Sequence, residues 1–155
     1  MWNGMTRRGF VGTAAMGAVG MAATGRAADA APLSAAEQSV KKVVDDFCAA
    51  WKTGDASKAA SHLAETCVVR FTASTDGSPA LSGRAAVQAQ IATYLTGMTI
   101  EFMVKDTWVS GPMVMNRRVD RIVSPKGTQD IAVVGVFFVR DGKIKEWSDF
   151  IVVGA

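Results

Sequence analysis

The chain has 155 residues, with 17 Lys+Arg, 14 Asp+Glu, one histidine and two cysteines. A single histidine, His62, argues against multi-histidine metal centres and Ser-His-Asp triads. The net charge of +3 is concentrated at the start, where Arg7, Arg8 and Arg26 face only Asp29; without residues 1–30 it is +1, which leaves no basic stripe for nucleic acid or an anionic membrane.

Residues 1–30 have the layout of an export signal. Thr6-Arg7-Arg8-Gly9-Phe10-Val11 is a twin-arginine pattern, and Val11 to Gly25 is an uncharged run rich in Ala, Gly and Met. Ala28-Asp29-Ala30 then supplies a small-x-small cleavage site. The apolar run is too short and too glycine-rich for stable membrane insertion. The expectation is a twin-arginine signal over 1–30, one domain over 31–155, and a periplasmic or secreted location. About 125 residues suffice for one domain with one core.

Ser34-Ala35-Ala36-Glu37 is a capping box that starts the first helix of this domain. Val40, Val43, Val44, Phe47, Cys48 and Trp51 recur behind it at helical spacing. Gly54 ends that helix, and Asp55 caps a short second one expected to end near Ala64. A short strand is predicted over Cys67 to Phe71, a loop over 73–83, and a third helix from Arg84 to Leu95. From Thr99 the pattern alternates, with Ile100, Phe102 and Val104 on one face of a strand reaching Val109. Gly111-Pro112 turns the chain into a second long strand, Met113 to Val123. Pro125-Lys126-Gly127 is the next turn, and Ile131 to Val139 is apolar enough to predict a strand covered on both faces. Asp141-Gly142 closes a hairpin onto the last strand, Lys143 to Val153. Helices followed by a meander of long strands predict an α+β fold, one curved, mainly antiparallel sheet wrapping the N-terminal helices.

Cys48 and Cys67 are compatible with a disulfide in an exported protein or with two buried thiols. More informative are the charges in the apolar strands. Period two puts Val114, Asn116, Arg118, Asp120 and Ile122 on one face, and Trp147, Asp149, Ile151 and Val153 on one face of the last strand. A lone charge in such a strand costs several kcal/mol or more, so these groups pair or function. Two acids sharing an arginine in an apolar pocket are a workable layout for acid/base chemistry, because burial raises a carboxyl pKa and the arginine lowers it. A structural ion-pair cluster is the alternative.

The order of elements, with Gly142-Lys143-Ile144, Trp147 and Asp149 as the final hairpin, resembles the nuclear-transport-factor-2-like (SnoaL-like) cystatin-like cone fold. Arg118-Val119-Asp120, Gly135-Val136-Phe137 and that hairpin are most similar to limonene-1,2-epoxide hydrolases. The resemblance implies Asp149 as the base that activates water, Asp120 as the acid on the epoxide oxygen, and Arg118 as the bridge between them. It implies no cofactor and no metal, and a small apolar epoxide as substrate. Those enzymes also hold water with a tyrosine and an asparagine on the first strand; alignment here puts Val68 and Arg70 at those positions. The expected substrate-binding set is therefore Arg70, Val68, Asn116 and Trp147, with Arg70 able to pair with Asp149 or bind an anion. Other chemistry in the same pocket (isomerisation, dehydration, cyclisation) and plain ligand binding are the alternatives. Homodimerisation through the outer sheet face is common in the superfamily.

Overall fold

The structure, a computed structural model, describes residues 32–71 and 79–152. The expected export signal, most of the expected 73–83 loop, and Val153 lie outside the described residues.

The first helix, α1 (Ala35–Trp51), begins at the expected capping box: the Ser34 hydroxyl accepts from the Glu37 amide, and the Glu37 carboxylate accepts from the Ser34 amide. Its buried face is Val44, Phe47, Cys48, Ala50 and Trp51. Asp55 caps α2 (Ala56–Ala60) by accepting from the Ser57 and Lys58 amides. This helix stops four residues before the expected Ala64, because the chain already enters strand β1 (Leu63–Arg70). A two-residue strand, β2 (Leu81–Ser82), stands at the end of the segment expected to be loop, and α3 (Arg84–Leu95) follows. The long strands are β3 (Thr99–Ser110), β4 (Met113–Ser124), β5 (Gly127–Arg140) and β6 (Lys143–Ile151).

These strands form one curved sheet in the order β2-β1-β6-β5-β4-β3. Only β1 and β6 run parallel; β3 to β6 are an antiparallel meander. The helices cover the inner face, where Phe47 meets the Phe137 and Trp147 rings at 6.0 and 5.0 Å. Each such ring buries a large apolar area.

Three irregularities set which side chains face inward. The β3–β4 register shifts between Val104 and Asp106. Before the shift Ile100, Phe102 and Val104 share the inner face as expected, opposite Ile122, Asp120 and Arg118, with Val104 still 37 % exposed on this edge strand. Beyond it Val109 rather than Trp108 turns to the core. A shift between Phe138 and Val139 lets both Ile144 and Trp147 of β6 point inward despite their odd spacing. The third lies in β1, between Leu63 and Val68. Its inward residues are Leu63, Cys67 and Val69, not Val68 and Arg70.

β5 departs from expectation in another way. Val133, Gly135, Phe137 and Val139 are buried on the inner face, but Val134 and Val136 on the outer face are only half-buried and Phe138 is exposed. Its continuous apolar run serves a sheet whose outer face the described residues leave uncovered.

Candidate active site

Strand β4 places the charged cluster. Its burial alternates, with Val114, Asn116, Arg118 and Asp120 inward and Arg117 and Arg121 outward. The outward pair is satisfied at the surface by Asp106 on β3 and Asp130 on β5. The Arg118 side chain is fully buried. Its Nε donates to Asp120 Oδ1 at 2.7 Å, and its Nη2 donates to Asp149 Oδ2 at 2.6 Å and Asp120 Oδ2 at 3.2 Å. Nη1 donates to Asn116 Oδ1 at 3.2 Å, and the guanidinium carbon lies 4.2 Å from the centre of the Phe102 ring.

Room for this guanidinium comes from Gly135, paired with Asn116 on β4 and Asp149 on β6. A Cβ on Gly135 would collide with Arg118 Nη1 and come within 2.8 Å of Phe137 and 2.9 Å of Asn116 Oδ1. A glycine in mid-strand normally weakens a sheet; here it marks a close approach.

The electrostatics follow from burial. Desolvation pushes Asp120 up to about 6; Arg118 opposes the rise and the Asp149 charge adds to it. Desolvation also raises Asp149, against the Arg118 charge and the hydrogen bonds from Arg118 and Trp147. Arg118 itself is held charged, because the two carboxylates outweigh the effect of burial on the guanidinium. Two carboxylates against one cation leave an excess negative charge, so a single shared proton neutralises the cluster. Both oxygens of Asp149 accept short bonds, Oδ2 from Arg118 and Oδ1 from Trp147 Nε1 at 2.6 Å. The longest bond to either carboxylate is the one to Asp120 Oδ2, which is the oxygen best able to carry the proton.

Both acids line one pocket of about 280 Å³, walled by Trp51, Phe71, Tyr94, Met98, Phe102 and Trp147 and by aliphatic residues of β3 to β6. That volume suits a small molecule, since drug-sized sites run from about 300 to 1,000 Å³. The walls are mainly apolar. One polar atom at this site stands out: Trp51 Nε1 is buried and has no hydrogen-bond partner among the described residues. An unmade bond of this kind costs about 1–3 kcal/mol.

The expected residues divide into two groups. Arg118, Asp120, Asp149 and Trp147 meet in one cluster. Asn116 does not line the pocket; it is buried behind Arg118, and its Nδ2 donates to Cys48 Sγ at 3.5 Å. Val68 and Arg70 also lie outside this pocket, contrary to the placement drawn from the sequence. Val68 borders an outer-surface cleft with Thr66 and Phe138, and Arg70 is exposed and makes no ion pair with Asp149. Their neighbours Val69 and Phe71 take the inward positions. The reason is that Cys67-Val68-Val69 has no alternation to set its phase, and the register shift in β1 sets Val69 opposite the inward Trp147 and Arg70 opposite Ser148.

Phe71, Tyr94 and Trp51 are among the pocket residues that the sequence did not assign to the site. The Phe71 ring contacts both Tyr94, at 5.2 Å, and Trp147, at 4.9 Å. Their only sequence signal was helical or strand periodicity, which marks a core residue and a pocket wall alike. The two cysteines are buried free thiols, and desolvation pushes Cys48 up to about 12. Among the described residues no group of acidic, histidine or cysteine side chains could hold a metal, and no helix is long and apolar enough to cross a membrane.

Known proteins with this architecture include an LEH-like epoxide hydrolase from M. tuberculosis, 20% identical with a TM-score of 0.67 over 76% of this chain and 85% of that one. The epoxide hydrolase/cyclase-like enzyme SalBIII, of pyran ring formation in polyether salinomycin, is 22% identical, with a TM-score of 0.63 over 76% and 93%. Bal32a, from a soil-derived mobile gene cassette, is 16% identical, with a TM-score of 0.66 over 76% and 92%. No curated protein sequence matches the chain. At these identities the likeness is one of fold. The SnoaL-like domain family matches residues 44–147, from the middle of α1 to Trp147 beside the buried acids, and the chain belongs to that family.

Proposed function

We propose that this pocket opens a small, mostly apolar epoxide by acid/base catalysis, adding water to give a vicinal diol. The observation that carries this reading is Arg118, which holds Asp120 and Asp149 together on the wall of one apolar pocket. Asp120 gives its proton to the epoxide oxygen as the C–O bond breaks. Asp149 takes a proton from the attacking water as the new C–O bond forms. Proton return from Asp149 to Asp120 resets the pair, with no covalent intermediate. Resemblance in fold to epoxide hydrolase-like proteins supports the reading. Residues 1–30 are assigned to export by the twin-arginine route, tested by whether Arg7→Lys with Arg8→Lys retains the protein in the cytoplasm.

One observation favours a second reaction of the same pair. The inward side chains of β1 are Leu63, Cys67 and Val69, and Phe71 follows, so this segment offers no strong hydrogen-bonding group to hold water. An alcohol within the substrate can replace the water, and ring opening then yields a cyclic ether.

The experiment is incubation of the folded protein, and of Asp149→Asn, with a panel of epoxides in ¹⁸O-labelled water. Diol carrying the label, lost by about a hundredfold or more in the variant, is the expected result. Unlabelled cyclic ether from hydroxy-epoxides, equally dependent on Asp149, establishes the second reaction. Turnover of no epoxide by folded protein overturns both.

A further inference from the structure

Asn116 is 1 % exposed and lies outside the pocket, behind Arg118. The two ends of its amide have different partners. Oδ1 accepts from Arg118 Nη1 at 3.2 Å, and Nδ2 donates to Cys48 Sγ at 3.5 Å. This polarity is forced: a guanidinium has donors only, so the amide oxygen must face Arg118 and the NH₂ must face α1. Cys48 is buried on α1, and its thiol, pushed up to about 12 by desolvation, stays neutral and can accept. Further along the same helix Trp51 walls the pocket, so α1 meets the site both at its wall and from behind. The Asn116–Arg118 bond lies over Gly135, where a Cβ would sit 2.9 Å from Asn116 Oδ1 and collide with Nη1. The other edge of the guanidinium, Nε and Nη2, is the one that holds Asp120 and Asp149.

We propose that Asn116 and Cys48 are positioning residues for the acid pair: anchored on Cys48 of α1, the Asn116 amide holds the Nη1 side of Arg118, so that the Nε–Nη2 edge keeps the two carboxylates in fixed relation. A neutral acceptor is what the position requires. Asn116→Asp would set a third carboxylate on one cation and draw it away from the pair. Asn116→Leu would leave a buried Nη1 donor unpaired and the guanidinium free to tilt. Neither Asn116 nor Cys48 lines the pocket, so their removal acts on the step that needs aligned acids and not on binding. This inference rests on Asp120 and Asp149 being the working acids, so it is read by carboxyl titration as well as by turnover.

The variants are Asn116→Leu, Cys48→Ala and Cys48→Ser, the last of which keeps an acceptor in place of the thiol. Carboxyl ¹³C NMR follows Asp120, assigned by the signal that Asp120→Asn lacks. The charges acting on Asp120 are Arg118 and Asp149, so a guanidinium that tilts away raises its midpoint above about 6. The expected result is an upward shift in Asn116→Leu, a smaller one in Cys48→Ala, and a return toward wild type in Cys48→Ser. With an epoxide that wild type turns over, kcat falls about tenfold in Asn116→Leu while KM holds. A merely structural role would lower Tm in all three variants and leave the Asp120 titration where it is. An unmoved midpoint in folded Asn116→Leu, equal midpoints in Cys48→Ala and Cys48→Ser, or a rise in KM at constant kcat overturns the inference. If Asn116→Leu does not fold, the two Cys48 variants decide. Shifted midpoints with no turnover by wild type overturn the proposed reaction and leave the positioning role standing.

Discussion

Arg118 Nη2 lies 2.6 Å from Asp149 Oδ2, while Nε of the same guanidinium lies 2.7 Å from Asp120 Oδ1. One buried cation therefore spans two strands, β4 and β6, that are not neighbours in the sheet. The planar fork of arginine is required for this; lysine offers a point charge and cannot hold two carboxylates in fixed relative geometry.

Arg118→Met should lower stability by about 3–5 kcal/mol in urea unfolding at pH 7, because it strands two buried carboxylates. The loss should shrink near pH 5, as those carboxylates take up protons. Adding Asp120→Asn and Asp149→Asn to Arg118→Met should recover part of it. An equal loss at both pH values would show that packing, not charge, is what Arg118 contributes.

Gly135→Ala should cost about 1–3 kcal/mol, the usual range for overpacking. The added methyl meets Arg118, Phe137 and Asn116, all buried, so the guanidinium must shift. Any activity that uses the pair should fall with it. Thermal unfolding and turnover of the same preparation check both.

The pH dependence has a defined sign. Asp120 is raised from 3.8 to about 6, so the folded state holds a proton that the unfolded state has released. Its contribution to stability is complete below about pH 4 and is lost as pH rises through about 6. Asp120→Asn should flatten that part of the stability profile. If Asp120 is the proton donor, kcat should fall about tenfold per pH unit above about 6, and a profile flat from pH 6 to 8 would remove it from that role.

The outer sheet face should pair two copies of the chain. Trp108, Met115 and Val136 lie in one row across β3, β4 and β5, and Trp108, Phe138 and Phe150 are 50%, 42% and 39% exposed. Apolar groups gathered in this way mark an interaction surface. Light scattering after gel filtration should give a dimer mass for wild type and half of it for Val136→Lys. A monomeric wild type would refute the dimer.

Much of this molecule was legible locally. The Ser34 and Asp55 caps, the hairpin turns and the two-residue period of β4 depend on neighbours a few positions away. They correctly located α1, α3 and the meander, and the inward face carrying Arg118 and Asp120. The resemblance in Arg118-Val119-Asp120 and the final hairpin added the fold, which the family match supports. Bulges were not legible, because one extra residue in a strand leaves no compositional trace yet reverses every side chain beyond it. That is why, beyond the bulge in β3, Val109 packs against the core and Trp108 lies on the outer face. In β1, where a bulge also intervenes, the phase was settled by the burial of Cys67 and Val69, which placed Val68 and Arg70 outside the pocket.

By itself the sequence determined which residues carry charge in apolar strands, and so which groups must find partners. Only the tertiary structure decided who the partners are. Asn116 became the support of Arg118, Gly135 the space beside it, and Trp51 a buried donor without an acceptor among the described residues. The physical reason is range. Periodicity and capping act within one or two turns of chain, whereas burial and hydrogen bonding are settled where strands distant in sequence meet.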